Sequence, residues 1–264
     1  MILISIMTTT SMTKENKETK IKNNFGLNVE EMAEAGLHLG HLPSKTHPKM
    51  RPYIFGLRSG IHIIDLEKSI EKLKEALEFV KKTILEKKQL ILIGTRVQEK
   101  ELVKEIAREA NIPYINERWL GGTFTNFETI KKRIKYFKEL KEKKEQGEFE
   151  KYTKKERAKI DKELAELEAR FGGIKKLEKL PDVVFLTNLK KDKLVVKEAK
   201  KKKIPVIAIC DTDVDPSLVD YPIPANDDAA PSIKYILEKL KNVILQTKPL
   251  IPAQESKKTD NNKE

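Results

Sequence analysis

The sequence predicts an α/β fold in which a doubly wound parallel sheet carries an inserted helical hairpin. Short apolar runs alternate with longer charged segments of helical periodicity, which is the pattern of strands alternating with helices. Several apolar runs contain almost only Ile, Leu and Val, as expected for parallel strands covered on both faces. One stretch, from Asn126 to about Lys179, has no strand pattern and is dominated by charge, which indicates a helical insertion.

The apolar runs define about five strands of one sheet, with right-handed crossovers between them. The expected strands are Ile61–Ile64, Leu90–Ile93, Pro113–Ile115, Val183–Thr187, Ile204–Ile209 and a short piece near Tyr221–Ile223. The expected helices between them are Glu67–Lys87, Gln98–Ala110, Lys193–Lys202 and Ser232–Leu245.

The insertion has the pattern of two amphipathic helices. Apolar residues recur at spacings of three and four in the first helix, at Phe127, Ile130, Ile134, Phe137 and Leu140, and in the second, at Ile160, Leu164 and Leu167. Gln146-Gly147 ends the first helix, Thr153 and Glu156 have the spacing of a capping box, and Phe171-Gly172-Gly173 ends the second. Two such stripes must bury each other, so we expect an antiparallel hairpin, a coiled-coil arm that projects from the sheet.

These patterns divide the 264 residues into four parts. We expect disordered tails at 1–26 and 253–264, because these segments are polar and poor in aromatic residues. Residues 27–125 and 174–252 would form the sheet domain, and residues 126–173 the inserted hairpin.

The chain is strongly basic, with 53 Lys and Arg, 41 Asp and Glu, and a net charge of +12. Such a field attracts polyanions, so nucleic acid is the leading class of partner. Residues 131–179 hold 18 basic and 11 acidic residues, which places +7 of the excess in the predicted hairpin. A solvated helical surface is the alternative interpretation of that charge. A membrane surface is less well supported, because no basic amphipathic helix with Trp, Phe and Leu on its other face is evident.

The single cysteine, Cys210, excludes an internal disulfide and a zinc site built from cysteine pairs, and it indicates a reducing compartment. The apolar opening at 1–7 is too short to span a bilayer and lacks the basic start of a secretory signal. We therefore expect a cytoplasmic protein, with a short organellar address as the alternative.

Three groups of residues suggest chemistry, and each has a simpler interpretation. His38 and His41 are spaced for metal binding, but the glycine between them favours structural or RNA-contacting imidazoles. Asp211, Asp213 and Asp215 follow a strand and could hold a divalent ion, although a turn closed by Pro216 is favoured. Asp227 and Asp228 precede a helix and are interpreted as ordinary N-caps.

An enzyme of this fold class would need a phosphate-binding turn after its first strand. Gly94-Thr95-Arg96 follows Ile93, with one glycine and neither GxGxxG nor a P-loop. Arg96 is therefore predicted to meet an RNA phosphate or to cap a neighbouring element. An α/β enzyme that binds a nucleotide or sugar phosphate remains the competing function.

Several long strings resemble one protein family, and their order and coverage from about residue 30 to 240 are highly specific. They are Ala35–His41 (AGLHLGH), His47–Gly56 (HPKMRPYIFG), Gly60–Leu66 (GIHIIDL), Arg118–Phe127 (RWLGGTFTNF), Phe171–Ile174 (FGGI), Ile204–Ala208 (IPVIA) and Asp220–Ala229 (DYPIPANDDA). Together they resemble the small-subunit ribosomal protein S2 family in its bacterial and organellar form. The sequence departs from that family at Thr187–Leu189 and at Ala230-Pro231, so no ion or RNA contact is carried over to those places.

The resemblance implies a flavodoxin-like sheet with a long helical hairpin, and a structural component of the ribosome without catalytic residues, metal or small-molecule substrate. It also implies binding to ribosomal RNA at the junction of head and body, late assembly, neighbouring small-subunit proteins as partners, and support for docking of ribosomal protein S1. A structural magnesium ion shared with RNA is the alternative to no cofactor. Nine basic residues are the candidate RNA contacts: Lys45, Lys49, Arg51, Arg58, Arg96, Arg118, Lys131, Lys132 and Arg133.

Overall fold

The computed structural model describes residues 25–248 of the chain, so the predicted tails lie mostly outside the described residues. A five-stranded parallel sheet forms the centre, in the order β4-β3-β5-β6-β7. Its strands are β3 Leu90–Ile93, β4 Tyr114–Ile115, β5 Val183–Leu186, β6 Val206–Cys210 and β7 Tyr221–Pro224. Counted within this sheet the order is 2-1-3-4-5, which is the flavodoxin-like order.

A smaller antiparallel sheet precedes it, formed by β1 Ile54–Arg58 and β2 Ile61–Ile64. The sequence pattern predicted the second strand but placed it among the strands of the main sheet, and that placement is wrong. Ser59 and Gly60, with φ of 51° and 80°, make the tight turn that pairs it with its chain neighbour instead. Leu39 also forms an isolated bridge to Ile63, so the segment before β1 packs onto this hairpin.

Helices cover both faces of the main sheet. They are α1 Val29–Glu34, α2 Leu66–Leu85, α3 Lys100–Glu109, α4 Phe127–Glu145, α5 Lys154–Phe171, α6 Lys193–Lys201 and α7 Ala230–Thr247. The four helices predicted between strands are confirmed, with every end within two residues of its predicted position. Among residues 25–248, no helix is both long and apolar enough to cross a bilayer.

The strands are buried on both sides because their side chains alternate between two apolar clusters. Leu90 and Leu92 of β3 join the cluster formed with α2, α3 and α7. Ile91 and Ile93 join the cluster that contains the apolar residues of α4, α5 and α6. Every position of such a strand is therefore apolar. This explains why the strands appear in the sequence as continuous apolar runs and not as an alternation of apolar and polar residues.

Helices α4 and α5 pack against each other along the predicted stripes. Three side-chain pairs join them: Tyr136 Oη donates to Glu163 (3.0 Å), Lys144 pairs with Asp161 (2.7 Å) and Lys141 with Glu168 (3.5 Å). Between the two lysine pairs the residue number rises in α4 from 141 to 144 while it falls in α5 from 168 to 161, as an antiparallel arrangement requires. The capping box is confirmed, since Thr153 and Glu156 each accept from the other's backbone N–H. Gly147 ends the first helical segment with φ of 75°.

Candidate nucleic-acid interface

Seven of the nine candidate RNA contacts are exposed basic side chains with no carboxylate within 4.0 Å among residues 25–248. They are Lys45, Arg51, Arg58, Arg118, Lys131, Lys132 and Arg133. An unpaired cation at the surface keeps its full charge for an external anion. The structure brings three of the seven together on one turn of α4 and places the others on separate loops or at the end of β1.

The other two candidates are already paired within the chain. The ammonium of Lys49 lies 2.8 Å from Asp215 and donates to Ser217 Oγ (2.6 Å), which holds the pKa of the Asp215 carboxyl well below its usual range. Arg96 donates to the backbone oxygen of Asp227 (2.9 Å) and pairs with the carboxylates of Asp227 and Asp228. Of the two roles predicted for Arg96, contact with a neighbouring element is therefore the one that the structure contains.

The loop that leads into α4 is held by one buried carboxylate, that of Glu198 in α6. Its two oxygens accept from the Trp119 indole (3.2 Å) and from the backbone N–H groups of Gly122 (2.8 Å), Phe124 (3.0 Å) and Thr125 (3.2 Å). Burial disfavours the charge, but these donors outweigh it and hold the pKa of Glu198 below its ordinary value. Glu198 thus fixes the start of α4 relative to the sheet.

Helices α4 and α5 present their charge outward because their apolar stripes face inward. Ile130, Ile134, Phe137 and Leu140 are buried in the same cluster as the sheet residues, so the lysines between them must face solvent. Within the described residues, five of the 18 basic residues at 131–179 reach a carboxylate within 4.0 Å; they are Lys135, Lys141, Lys144, Arg170 and Lys179. Lys131, Lys132, Lys135 and Lys138 line one shallow groove between α4 and the segment at Leu177. The surface of this helix pair is the strongest candidate for a phosphate-binding face.

The carboxyl edge of the sheet, where an α/β enzyme would bind phosphate, is occupied by the chain's own side chains. A methyl group on Gly94 would lie 2.5 Å from Thr187 Oγ1 and 2.8 Å from Val103, so this glycine is required by packing and not by a phosphate. Lys191 donates to Thr95 O (2.9 Å), and Thr95 Oγ1 donates to the buried Asp192 (3.0 Å). These contacts fill the position of a nucleotide turn.

Acidic residues and one histidine gather at the same edge. His41 lies between Asp211 (3.2 Å), Asp228 (3.3 Å) and Asp213 (3.7 Å), and its bond to Asp211 raises the pKa of its imidazole to about 9. Burial and the charge of Asp211 raise the pKa of Asp227 to about 8. Burial likewise raises the pKa of the neighbouring Cys210 thiol.

Two sequence interpretations of these acids have different outcomes. The turn at Asp215 is confirmed, because its carboxylate accepts from Ser217 N (2.9 Å) ahead of Pro216-Ser217-Leu218. The N-cap interpretation of Asp227 and Asp228 is wrong. Asn226 accepts from the backbone N–H groups of Asp228 (2.8 Å) and Ala229 (3.2 Å), since its side chain reaches forward over the turn and leaves both carboxylates facing the edge.

Sequence reasoning missed Glu198 and the partners of His41. Glu198 had a visible signal, because it shares a helical face with the apolar Val195 and Ala199, and a carboxylate on a buried face requires donors. His41 had none, since Asp211 lies 170 residues later. A shared metal site of His38 and His41 was the less favoured interpretation; the two follow α1 in an irregular segment, and of this pair only His41 joins the acids in the cluster found among residues 25–248.

Comparison with known proteins identifies one family over most of the chain. The model of the family described as "Ribosomal protein S2" matches residues 32–247. The small ribosomal subunit protein uS2 of Dictyoglomus thermophilum is 47% identical over 222 residues, which cover 84% of this chain and 90% of the relative. The uS2 protein of Coprothermobacter proteolyticus is 45% identical, over 83% of this chain and 81% of the relative. The uS2 protein of Petrotoga mobilis is 44% identical, over 84% of this chain and 77% of the relative.

The family explains the geometry described above. A structural protein needs no empty catalytic edge, and here Arg96 pairs with Asp227 and Asp228 at that edge. The family model matches most of the chain, and the relatives are nearly half identical to it. The chain therefore belongs to the ribosomal protein S2 family, whose members are structural ribosomal proteins and not enzymes.

Proposed function

We propose that this chain holds its place in the small ribosomal subunit by binding ribosomal RNA phosphates through the outer surface of α4 and α5. The observation that carries the proposal is the set of exposed, unpaired cations on that surface, beginning with Lys131, Lys132 and Arg133. Phosphate contact through lysine and arginine needs charge and access, and both are present there.

In this proposal residues 126–173 form an inserted coiled-coil arm on a sheet domain formed by 27–125 and 174–252. The cross-helix pairs and the capping box support the arm as a helical unit. The apolar residues of the arm also belong to the cluster that covers the sheet, so its base is anchored rather than hinged. An anchored base would let the arm transmit a fixed orientation from the RNA to the sheet.

The finer placement is carried over from the family resemblance. We infer a site at the junction of head and body on cytoplasmic ribosomes, late entry during assembly, and contacts with neighbouring small-subunit proteins that support docking of ribosomal protein S1. Crosslinking of the native subunit followed by mass spectrometry would test this placement. Crosslinks from this chain only to proteins of the head's far side would contradict it.

The salt dependence of RNA binding tests the phosphate mechanism. Binding of purified protein to small-subunit RNA should weaken steeply with salt, with a log-log slope of about −0.7 to −0.9 for each phosphate contact and a total magnitude well above about 2. The triple reversal Lys131→Glu, Lys132→Glu and Arg133→Glu should reduce that slope by about 2. A slope that is flat, or unchanged in the variant, would exclude this surface as the phosphate contact.

Assembly provides the second readout, with a matched control. Reversal of Lys81, Lys82 and Lys87 to Glu changes the net charge equally, at exposed residues near the end of α2 that have no carboxylate within 4.0 Å among residues 25–248. We expect the α4 variant to remain at the top of a sucrose gradient and the α2 variant to sediment with the small subunit. Both sets of side chains are exposed, so both variants should fold, as circular dichroism would check.

A further inference from the structure

Three segments that are distant in the sequence bring metal-binding atoms together at the carboxyl edge of the sheet. One ligand atom each from His41, Asp211 and Asp228 lie within 4.8 Å of one another. The imidazole Nδ1 is 3.2 Å from Asp211 Oδ1, and Nε2 is 3.3 Å from Asp228 Oδ2. Around a tetrahedral metal with bonds of about 2.0–2.2 Å, neighbouring ligand atoms are separated by roughly 3.3–3.6 Å. A metal binds one ring nitrogen, so each of these two distances belongs to a different nitrogen, and a single ion requires one carboxylate to move closer within the 4.8 Å cluster.

A second observation independently indicates missing positive charge. Asp227 is 1% exposed, and neither of its carboxylate oxygens has a hydrogen-bond partner among the described residues. The nearest cation, Arg96 Nη1, lies 3.4 Å from Asp227 Oδ1 without hydrogen-bond geometry, and Asp213 Oδ1 is also buried without a partner. Buried carboxylates normally have donors or a metal ion, since an uncompensated buried charge is costly.

The carboxyl groups at the edge outnumber the lysine and arginine side chains that pair with them in the described part of the chain. Three carboxylates, those of Asp211, Asp213 and Asp228, lie within 4.0 Å of the His41 ring, and the carboxyl of Asp227 is buried at the same edge. Their basic partners within the chain are Arg96, which serves two of them, and Lys190, which pairs with Asp213. A divalent ion in place of the histidine proton would add one more positive charge at the point where the carboxylates converge.

We propose that His41, Asp211 and Asp228 bind a divalent transition-metal ion such as Zn²⁺, through one ring nitrogen and one oxygen of each carboxylate. An imidazole among carboxylates suits zinc and related ions better than Mg²⁺ or Ca²⁺, which prefer oxygen alone. The site joins the loop before β1, the end of β6 and the turn before α7. The ion would thus fasten the small antiparallel sheet to the main one, a structural role separate from RNA binding.

Titration of the full-length protein with ZnCl₂ after removal of metal by chelation tests the proposal directly. Calorimetry and elemental analysis should give one zinc per chain with affinity at least about 100-fold higher than for MgCl₂. His41→Gln should weaken zinc binding about 100-fold, while His47→Gln, which alters a histidine outside the cluster, should leave it unchanged. Asp228→Asn, at a half-exposed position that tolerates change, should weaken binding at least about 10-fold and still fold, as checked by circular dichroism.

Three results would overturn the proposal. Absence of zinc binding by the wild-type protein at 100-fold molar excess would leave a protonated His41 as the bridge between the carboxylates. Equal zinc affinity in the wild type and the folded Asp228→Asn variant would place the ion elsewhere. Equal affinity for Zn²⁺ and Mg²⁺ would contradict a ligand set that includes the imidazole. Because none of these readouts uses RNA, they are independent of the assembly experiments.

Discussion

The carboxyl edge of the sheet and the surface of α4 and α5 are both rich in charge, but they use it in opposite ways. At the edge, Arg96 is only 18% exposed and its carboxylate partners include Asp227 at 1%, so each charge is fixed by other parts of the chain. On the helix pair, Lys131 and Lys132 are exposed and meet no carboxylate within the described part of the chain. Charge that is buried and paired positions the chain's own loops, while charge that is exposed and unpaired is available to a partner.

This difference explains how an enzyme-like sheet supports a structural protein. The edge that binds nucleotides in other doubly wound folds is closed here by Arg96, Lys191 and Asp192. Helices α4 and α5 provide a further charged surface. The segment 131–179, which contains most of them, holds +7 of the chain's net charge of +12. Under the proposed function, phosphate binding lies on α4 and α5 and not at the usual site of this fold.

The largest effect should come from removal of the buried Glu198 carboxylate, which holds the loop that leads into α4. Glu198→Ala would leave the N–H groups of Gly122, Phe124 and Thr125 without their acceptor, at about 1–3 kcal/mol for each group that stays buried. We expect a loss of about 3 kcal/mol in the free energy of unfolding by urea. Glu166→Ala, at an exposed acid of α5, should change it by less than about 0.5 kcal/mol.

If Glu198→Ala and Glu166→Ala lost similar free energies of unfolding, a buried, hydrogen-bonded carboxylate would matter no more to stability than an exposed one. Loss of stability in Glu198→Ala should also weaken ribosome incorporation, because α4 would start from a displaced loop. Glu198→Gln keeps the shape and one acceptor oxygen, so its loss should be intermediate. A loss in Glu198→Gln equal to that in Glu198→Ala would assign the effect to charge alone.

A smaller effect is expected where the second helix returns to the sheet. A methyl group on Gly173 would lie 2.1 Å from the backbone oxygen of Tyr114, which belongs to the edge strand β4 and cannot move independently. Gly173→Ala should therefore cost about 2 kcal/mol by overpacking, measured by thermal or urea unfolding. Gly56→Ala is the control, since a methyl group there meets nothing within 4 Å and alanine is no worse than glycine in a strand.

An unchanged stability in Gly173→Ala would mean that the helix pair is attached loosely and moves as a separate body. The expected loss would instead support an anchored base. This variant therefore distinguishes a rigid arm from a hinged one without any change of charge.

Local patterns predicted most of the fold, because local sequence determines it there. Continuous apolar runs identified β3, β5 and β6, and Thr153 with Glu156 identified the start of α5 to the residue. The hairpin of β1 and β2 was missed as a pair, because the exposed positions of β1 hold the apolar Phe55 and Leu57, so its sequence lacks the alternation of apolar and polar residues typical of a half-buried strand. A tight turn at Ser59-Gly60 was the available signal.

The site was harder to predict because its contacts are distant in sequence. Spacing alone suggested His38 with His41, whereas the fold pairs His41 with acids that follow β6 and β7. Basic residues could be identified by composition, but only the structure separates Lys49 and Arg96, which are paired, from Lys131 and Arg133, which are not. Exposure and pairing are properties of the folded chain and have no local signature.

The smallest effect is expected for the ion pair between Lys144 of α4 and Asp161 of α5. The two side chains are 2.7 Å apart, but both are more than half exposed, so water and salt screen their attraction. A double-mutant cycle with Lys144→Gln and Asp161→Asn should give a coupling free energy of about 0.3–0.5 kcal/mol at low salt and almost none at 1 M salt. A coupling above about 1 kcal/mol that persists in high salt would show that this surface behaves like the buried carboxyl edge. Its lysines would then be fixed by the fold and less available to RNA, so even this small measurement bears on how the protein holds its particle.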